Sequence, residues 1–169
     1  MKTTRIFIHG LESTSYGTKG EFFRKKYPGM ILEDFTGPLK RRMDKLNDIL
    51  CNKTDLILVG SSYGGLMATV YTCENEQNVK RLILLAPALN LPEFEPYLNC
   101  PLRIPVVLYH GRYDDVVPPE TVHAISTKKF SNLVHHLVDD DHSLHHTFSN
   151  MNWDDLLIIR KLPEFKNID

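Results

Sequence analysis

A serine framed by two glycines lies near the middle of this sequence, directly after a run of apolar residues. Residues 56–59 have the composition of a buried strand, and the pattern Gly60-x-Ser62-x-Gly64 follows them. This spacing predicts a sharp turn from a strand into a helix, which exposes the serine hydroxyl above the sheet. Small neighbours are needed because the serine backbone in such a turn is strained. We therefore interpret Ser62 as a candidate nucleophile for attack on a carbonyl carbon.

A serine hydroxyl needs two partners before it becomes a useful nucleophile. Histidine is the usual base, because its pKa lies near neutrality and it can return the proton to the leaving group. A carboxylate then holds the histidine in the correct tautomer and stabilises the imidazolium. After Ser62 the chain offers Asp114 or Asp115, and then His142, in the order serine, acid, histidine. The spacing of these residues leaves the choice between the two aspartates open.

Strand and helix patterns alternate about six times along the chain. Apolar and β-branched runs predict strands over 5–8, 30–35, 55–59, 80–85, 104–110 and 132–138. Helices are predicted over 21–27, from 37–38 to 50, after the serine turn, from 118 onward and over 153–160. This alternation predicts the α/β class, a three-layer α/β/α sandwich with a mostly parallel sheet of about six strands. We expect one domain over residues 1–169.

Polar or glycine-bearing stretches follow four of the predicted strands. They are His9-Gly10, the turn at Ser62, residues 110–115 and residues 139–142. The carboxyl ends of parallel strands share one edge of a sheet, and ligands bind there. We expect these stretches to meet at one site, and this convergence is stronger support for a site than any single motif.

The motifs resemble those of the small α/β-hydrolase-fold serine esterases. The resemblance rests on His9-Gly10, on Gly60-Ser61-Ser62-Tyr63-Gly64-Gly65, on His110-Gly111-Arg112-Tyr113-Asp114 with Val117-Pro118, and on Asp141-His142-Ser143. It covers nearly the whole chain and is greatest for short cytoplasmic esterases with an early His-Gly loop. A cap domain and the first two strands of larger members are missing from the pattern.

The resemblance implies a role for each matched side chain. Ser62 would be the nucleophile, Asp114 the triad acid and His142 the base, whereas Asp115 is expected to be a solvated loop residue. The implied activity is hydrolysis of a small-molecule carboxylic ester or thioester through an acyl-enzyme. Neither a metal nor an organic cofactor is expected.

Backbone groups complete the implied site. By the geometry of the family, the N–H groups of Leu11 and Tyr63 would form the oxyanion hole. Because each acts through its amide, leucine and tyrosine are acceptable side chains there. His9, Gly10 and Ser61 are expected to line the substrate-binding site, with Ser61 off the centre of the glycine frame.

Composition argues against several other functions. The formal net charge is −1, with 20 Lys and Arg and 21 Asp and Glu and no long block of one sign, so nucleic acid and anionic membranes are not predicted partners. The amino terminus runs into a strand without a signal-peptide pattern, and no apolar run approaches the roughly 18 residues of a membrane span. Cys51, Cys73 and Cys100 have no metal-like spacing and are interpreted as reduced, non-catalytic thiols of a cytoplasmic protein.

Histidines and aspartates near the end of the sequence have the composition of a metal site. They are His135, His136, Asp139, Asp140, Asp141, His142, His145 and His146. Neighbouring strand residues point to opposite faces, so His135 and His136 are poorly placed to bind one ion. His142 and His146 are spaced for one helical face but lack the glutamate of the helical zinc-hydrolase motif. We predict no metal and interpret His145 and His146 as surface or rim residues.

Residues 90–101 occupy the position where larger relatives carry a cap. Leu91, Phe94, Tyr97 and Leu98 lie among three prolines there, and the segment is compatible with an apolar flap or with a surface loop packed on the sheet. Because the cover is small in either case, a shallow pocket is predicted. We expect a preference for short acyl chains, from acetyl to about butyryl.

Other functions can use the same scaffold. An acyltransferase, a peptidase or a C–C bond hydrolase would keep the same three side chains and change the bond broken or the acyl acceptor. A binding protein that has lost catalysis is an alternative from a different class. The presence of Ser62, Asp114 and His142 together argues against that last alternative, because a protein that had lost catalysis would usually have lost one of the three residues.

Overall fold

Six strands form a single sheet in the computed structural model, which describes residues 3–158. They are β1 (Thr4–Ile8), β2 (Ile31–Leu32), β3 (Leu56–Ser61), β4 (Val79–Leu85), β5 (Leu102–Gly111) and β6 (Phe130–Val138). The strand order is β2-β1-β3-β4-β5-β6, and every neighbouring pair is parallel. The predicted α/β class and number of strands are confirmed.

Helices cover both faces of the sheet. They are α1 (Thr18–Lys26), α2 (Leu39–Leu50), α3 (Tyr63–Asn75), α4 (Pro119–Lys129), α5 (His145–Asn150) and α6 (Trp153–Leu156). Helices α2, α3 and α4 contribute to the core on one face, and α1, α5 and α6 to the core on the other. The central strand β3 shows why both faces are filled: Leu56 and Leu58 face the first core, and Ile57 and Val59 face the second. The predicted three-layer arrangement is therefore confirmed.

An aromatic cluster anchors the helices that follow β6. The ring of Trp153 packs edge-on against that of Phe23 on α1, with centroids 4.8 Å apart, and lies 5.1 Å from the ring of Phe148. The indole N–H of Trp153 donates to the carbonyl of Phe148 at 2.8 Å. These contacts fix α5 and α6 against α1, and so they also fix the loop before α5.

Some element boundaries differ from the sequence predictions for physical reasons. The strand predicted over 30–35 pairs only through Ile31 and Leu32, because the next residues form contacts with polar loops. There the carboxylate of Asp34 accepts from the amide of Ser15 at 2.6 Å, and the amide of Phe35 donates to the ring of His9 at 2.9 Å. Edge strands lose pairing readily, since one side has no neighbour.

The ends of two helices also differ from the predictions. Helix α1 begins at Thr18, three residues before the predicted start at Glu21. Helix α6 ends at Leu156, whereas the prediction continued to 160, and residues 159–160 lie outside the described residues. Within residues 3–158, every helix is too short or too polar to cross a bilayer.

Candidate active site

The turn between β3 and α3 holds Ser62 in a strained backbone conformation. Its φ of 53° and ψ of −118° are sparsely populated for a residue with a side chain, at a cost of about 1–3 kcal/mol. The flanking glycines allow the strand and helix to approach closely. A Cβ on Gly60 would lie 2.4 Å from the carbonyl oxygen of Gly64, and one on Gly64 would lie 2.0 Å from that of Ile8. The turn is thus the one that the glycine pattern predicted.

Three polar side chains form a continuous hydrogen-bonded path from this turn. Nε2 of His142 lies 3.0 Å from Oγ of Ser62, and Nδ1 of His142 lies 2.8 Å from Oδ2 of Asp114. Because the carboxylate only accepts, Nδ1 carries the imidazole proton and Nε2 is left free to accept from the hydroxyl. The path runs from the buried Asp114 side chain to a His142 side chain that is 20% exposed. This arrangement can transfer a proton from Ser62 to the imidazole.

The Asp114 carboxylate is held by four donors. Its Oδ1 accepts from the amides of Val116 and Val117 at 2.9 and 2.8 Å, and its Oδ2 accepts from His142 and from Nε2 of His110 at 3.0 Å. All four contacts require an acceptor, which suits the ionised carboxylate. By contrast, Asp115 is exposed in the same turn. The structure therefore brings Asp114, and not its neighbour, to the histidine.

His110 is a buried second contact for this carboxylate. Its Nε2 also lies 2.9 Å from the carbonyl oxygen of Val117, so a single N–H is shared between two acceptors. Its Nδ1 has no hydrogen-bond partner in the described part of the chain. These contacts tie the end of β5 to the turn that carries Asp114.

The loop that carries His142 is organised by Asp140. The Oδ2 of Asp140 accepts from the amides of His146 and Thr147 at 3.0 and 2.7 Å, which caps the start of α5. Burial opposes ionisation of Asp140, but these amides and that of Asp141 together hold the pKa of its carboxyl below the usual value. The imidazole of His142 is thus carried by a loop with a fixed backbone.

On the opposite side of Ser62, His9 orients the peptide that joins Gly10 to Leu11. The ring accepts from the amide of Phe35 through Nε2 at 2.9 Å and donates through Nδ1 to the carbonyl of Gly10 at 2.7 Å. Burial lowers the pKa of His9, which favours this neutral form. In a trans peptide the N–H points away from the C=O, so the amide of Leu11 is directed away from His9. A Cβ on Gly10 would lie 3.4 Å from the Cβ of Ser62, which places this peptide beside the hydroxyl.

The two amides expected to form an oxyanion hole lack acceptors. Neither the N–H of Leu11 nor that of Tyr63 donates a hydrogen bond to any residue between 3 and 158. Arg42 lies behind them: its guanidinium is 5.3 Å from the Tyr63 ring and donates to the carbonyls of Gly37 at 2.8 Å and Leu11 at 3.4 Å. The Arg42 side chain is buried, so its contacts tie the Leu11 peptide to the Tyr63 side chain.

A cavity of about 580 Å³ opens beside Ser62 and His142. This is within the range of small-molecule sites. The predicted positions Leu11, Tyr63, His9, Gly10 and Ser61 all line it. Ser62 and His142 line it as well, whereas Asp114 is buried behind His142 and does not reach the cavity.

Comparisons with solved structures agree on the architecture. The chain aligns with α/β hydrolase domain-containing protein 10 from mouse at 21% identity and a TM-score of 0.71, over 92% of this chain and 91% of that one. It aligns with Est1E from Butyrivibrio proteoclasticus with bound ferulic acid at 18% identity and a TM-score of 0.74, over 88% and 84%. The structure of a protein from Agrobacterium vitis S4 aligns at 20% identity and a TM-score of 0.74, over 93% of this chain and 88% of that one. The chain has the α/β-hydrolase fold.

The sequence comparison with family models covers a smaller part of the chain than the structural comparisons do. A family model described as serine aminopeptidase, S33, matches residues 32–103, which is less than half of the chain. The matched part includes Ser62 but neither Asp114 nor His142. No curated protein matches the chain.

The segment over 90–101 packs against the body of the domain. It forms a 3-10 turn over Pro92–Tyr97, with the Phe94 side chain fully buried in the core. Only Asn90 and Leu91, at its beginning, line the cavity. The structure thus favours the packed surface loop over the apolar flap.

The histidines near the end of the sequence lie apart from one another in the structure. The ring of His135 stacks on that of His123 at 4.8 Å, and the ring of His136 stacks on that of Tyr109 at 4.4 Å. His145 bonds to Asp141 at 2.9 Å on the surface. No group of three or more potential ligands with metal-site geometry occurs between residues 3 and 158.

One cavity residue had no signal in the sequence. Lys19 precedes the helix predicted over 21–27, yet it is the second residue of α1 and lines the cavity. A single lysine among serines, threonines and glycines belongs to no motif, so its place in the cavity could not be predicted from the sequence.

Proposed function

We propose that this α/β hydrolase is a serine hydrolase that cleaves carboxylic esters or thioesters through an acyl-enzyme. The observation that carries the proposal is the hydrogen-bonded path from Ser62 through His142 to Asp114 at the edge of an open cavity. Its substrate would be a small molecule. The three free cysteines suit the reducing cytoplasm expected from the sequence.

In the first half of the reaction, Oγ of Ser62 attacks the substrate carbonyl carbon while Nε2 of His142 takes the hydroxyl proton. The Asp114 carboxylate stabilises the imidazolium that forms. The carbonyl oxygen becomes an oxyanion and accepts from the amides of Leu11 and Tyr63. The bond to the leaving group then breaks, and His142 protonates the departing alcohol or thiol, which leaves an acylated Ser62.

In the second half, water replaces the leaving group. His142 takes a proton from the water as its oxygen attacks the acyl carbon, and the same two amides hold the second oxyanion. Collapse breaks the bond to Oγ of Ser62, which recovers its proton from His142. The products are a carboxylic acid and free enzyme, so the cycle consumes one water for each ester and needs no cofactor.

Acyl-chain preference is the first expected result. Because the 92–97 turn packs on the core rather than over Ser62, we expect short acyl groups, acetyl to about butyryl, with the remaining space taken by the leaving group. In a p-nitrophenyl ester series, kcat/KM should be highest between acetate and butyrate. Faster turnover of the decanoate than of the acetate would contradict this preference.

The decisive experiment is labelling with a fluorophosphonate, followed by peptide mass spectrometry. We expect one adduct, on the peptide that contains Ser62, because its hydroxyl is the one bonded to the imidazole. Ser61→Ala should keep the adduct, and Ser62→Ala should lose it. Folded protein without an adduct at Ser62 would end the serine-hydrolase proposal.

An aminopeptidase is the second candidate, because the matching family model carries that description. The same residues would act, with His142 protonating an amine as the leaving group. Aminoacyl anilides tested beside acyl esters separate the two. Anilide turnover exceeding ester turnover would favour the peptidase.

A further inference from the structure

A lysine lies on the wall of the cavity, close to the proposed base. Lys19 and His142 line the same cavity, and Nζ of Lys19 donates to the carbonyl of Ser143, the residue after His142, at 2.6 Å. The ammonium also lies 5.5 Å from the centre of the Phe148 ring. Its charge therefore lies at the loop that carries His142 and on the wall of the cavity that holds Ser62.

The Lys19 ammonium has capacity for another partner. An ammonium carries three N–H donors, and one of them is taken by Ser143. No carboxylate between residues 3 and 158 forms an ion pair with it, although Asp140 and Asp141 lie nearby. Asp140 is occupied by amides and Asp141 by His145. Burial lowers the pKa of Lys19, and the two carboxylates act in the opposite direction.

The remaining surroundings of Lys19 favour an anion in the cavity. Apolar side chains such as Leu144 and Phe148 form the adjacent wall, and removal of water there strengthens the attraction between opposite charges. Glu12 is the one carboxylate that lines the cavity within residues 3–158, and it is exposed. A partly desolvated cation beside apolar walls is stabilised when a ligand supplies the opposite charge.

We propose that Lys19 selects substrates that carry a carboxylate in addition to the bond that is cleaved, such as half-esters of short dicarboxylic acids. The proposal rests on the hydrolase activity proposed above and names its substrate class. Lys19 would donate its free N–H groups to the second carboxylate while Ser62 attacks the ester carbonyl. The residue is a specificity determinant and takes no part in proton transfer.

The alternative role for Lys19 is structural. Through its bond to Ser143, it would hold the loop that carries His142. Loss of that bond would lower the turnover of all substrates by a similar factor. A role in recognition predicts a loss only for anionic substrates, so matched pairs that differ by one charge distinguish the two.

The experiment compares two such pairs at pH 7. Monomethyl and dimethyl succinate place the charge on the acyl side, and 4-acetoxybenzoate and its methyl ester place it on the leaving group. For the anion of at least one pair, Lys19→Gln should lower kcat/KM by about 10- to 100-fold, mainly through KM, as expected for loss of a charge-assisted hydrogen bond. The neutral partner should change by less than about threefold, a margin well below the effect of such a bond.

Two control variants sharpen this test. Lys19→Arg should recover most of the preference, and Lys25→Gln should keep it, because Lys25 is exposed on the same helix and its loss removes the same net charge. Equal losses of neutral and anionic substrates in Lys19→Gln, or unchanged selectivity in both pairs, would overturn the proposal. Wild-type protein that carries no label at Ser62 and cleaves no neutral ester would instead refute the hydrolase activity itself.

Discussion

Ser62→Ala is expected to lower kcat for ester hydrolysis by a factor on the order of 10⁴ to 10⁶, the range seen when a triad nucleophile is removed. Alanine leaves no oxygen to form the acyl-enzyme, so the remaining rate would come from the oxyanion amides and from binding. The measurement is steady-state hydrolysis of p-nitrophenyl acetate by folded variant and wild type. KM should change little, because the methyl group of alanine occupies nearly the same space.

Stability provides the control for the Ser62 variant. Among residues 3–158 the side chain bonds only to His142, and the strained φ of 53° is unchanged by alanine, so the thermal midpoint should be equal or slightly higher. A variant that folds and keeps more than about one hundredth of the wild-type rate would contradict the assignment of Ser62, since loss of a nucleophile costs far more.

Asp114→Asn is expected to reduce kcat by roughly four orders of magnitude. An asparagine amide that faces Nδ1 of His142 would favour the tautomer with the proton on Nε2, which then cannot accept from Ser62. The same amide would face the N–H of His110, so two donors would oppose each other in a buried space. We therefore also expect a loss of about 1–3 kcal/mol in the free energy of unfolding.

Asp115→Asn is the matched control, because it makes the same chemical change one residue away on an exposed side chain. Its kcat should remain within about twofold of wild type, since surface substitutions away from a site have small effects. Both variants would be measured for kcat and by chemical denaturation. If Asp115→Asn lost activity and Asp114→Asn did not, the assignment of the acid would be wrong.

The elements that carry the site could be predicted from local patterns. A β-branched run before Gly60 and a helix-forming run after Gly65 specify a strand and a helix, and the glycines between them specify the turn. These signals are short in range, because they depend on backbone sterics and on the period of buried residues. The order of the motifs at the strand ends then predicted which side chains should meet.

Other features depend on contacts between distant parts of the chain. His142 lies 80 positions from Ser62 and 28 from Asp114, and their geometry follows from the register of β3, β5 and β6. The short length of β2 follows from the bonds of Asp34 and Phe35 to loops near the amino end. These contacts join residues far apart in the chain, so no local sequence pattern predicts them.

The sequence by itself determined the fold class, the serine turn and the set of candidate side chains, because each depends on short patterns of neighbouring residues. Residue spacing left Asp114 and Asp115 open and the resemblance favoured Asp114, but only the tertiary structure shows which of the two bonds to His142. The turn after β5 directs one buried carboxylate to four donors and leaves the other in solvent. The tertiary structure also placed Lys19 in the cavity, because aromatic packing of Phe23 on Trp153 and Phe148 holds α1 there. Which way a side chain faces depends on packing partners far along the chain, and two adjacent aspartates differ in nothing else.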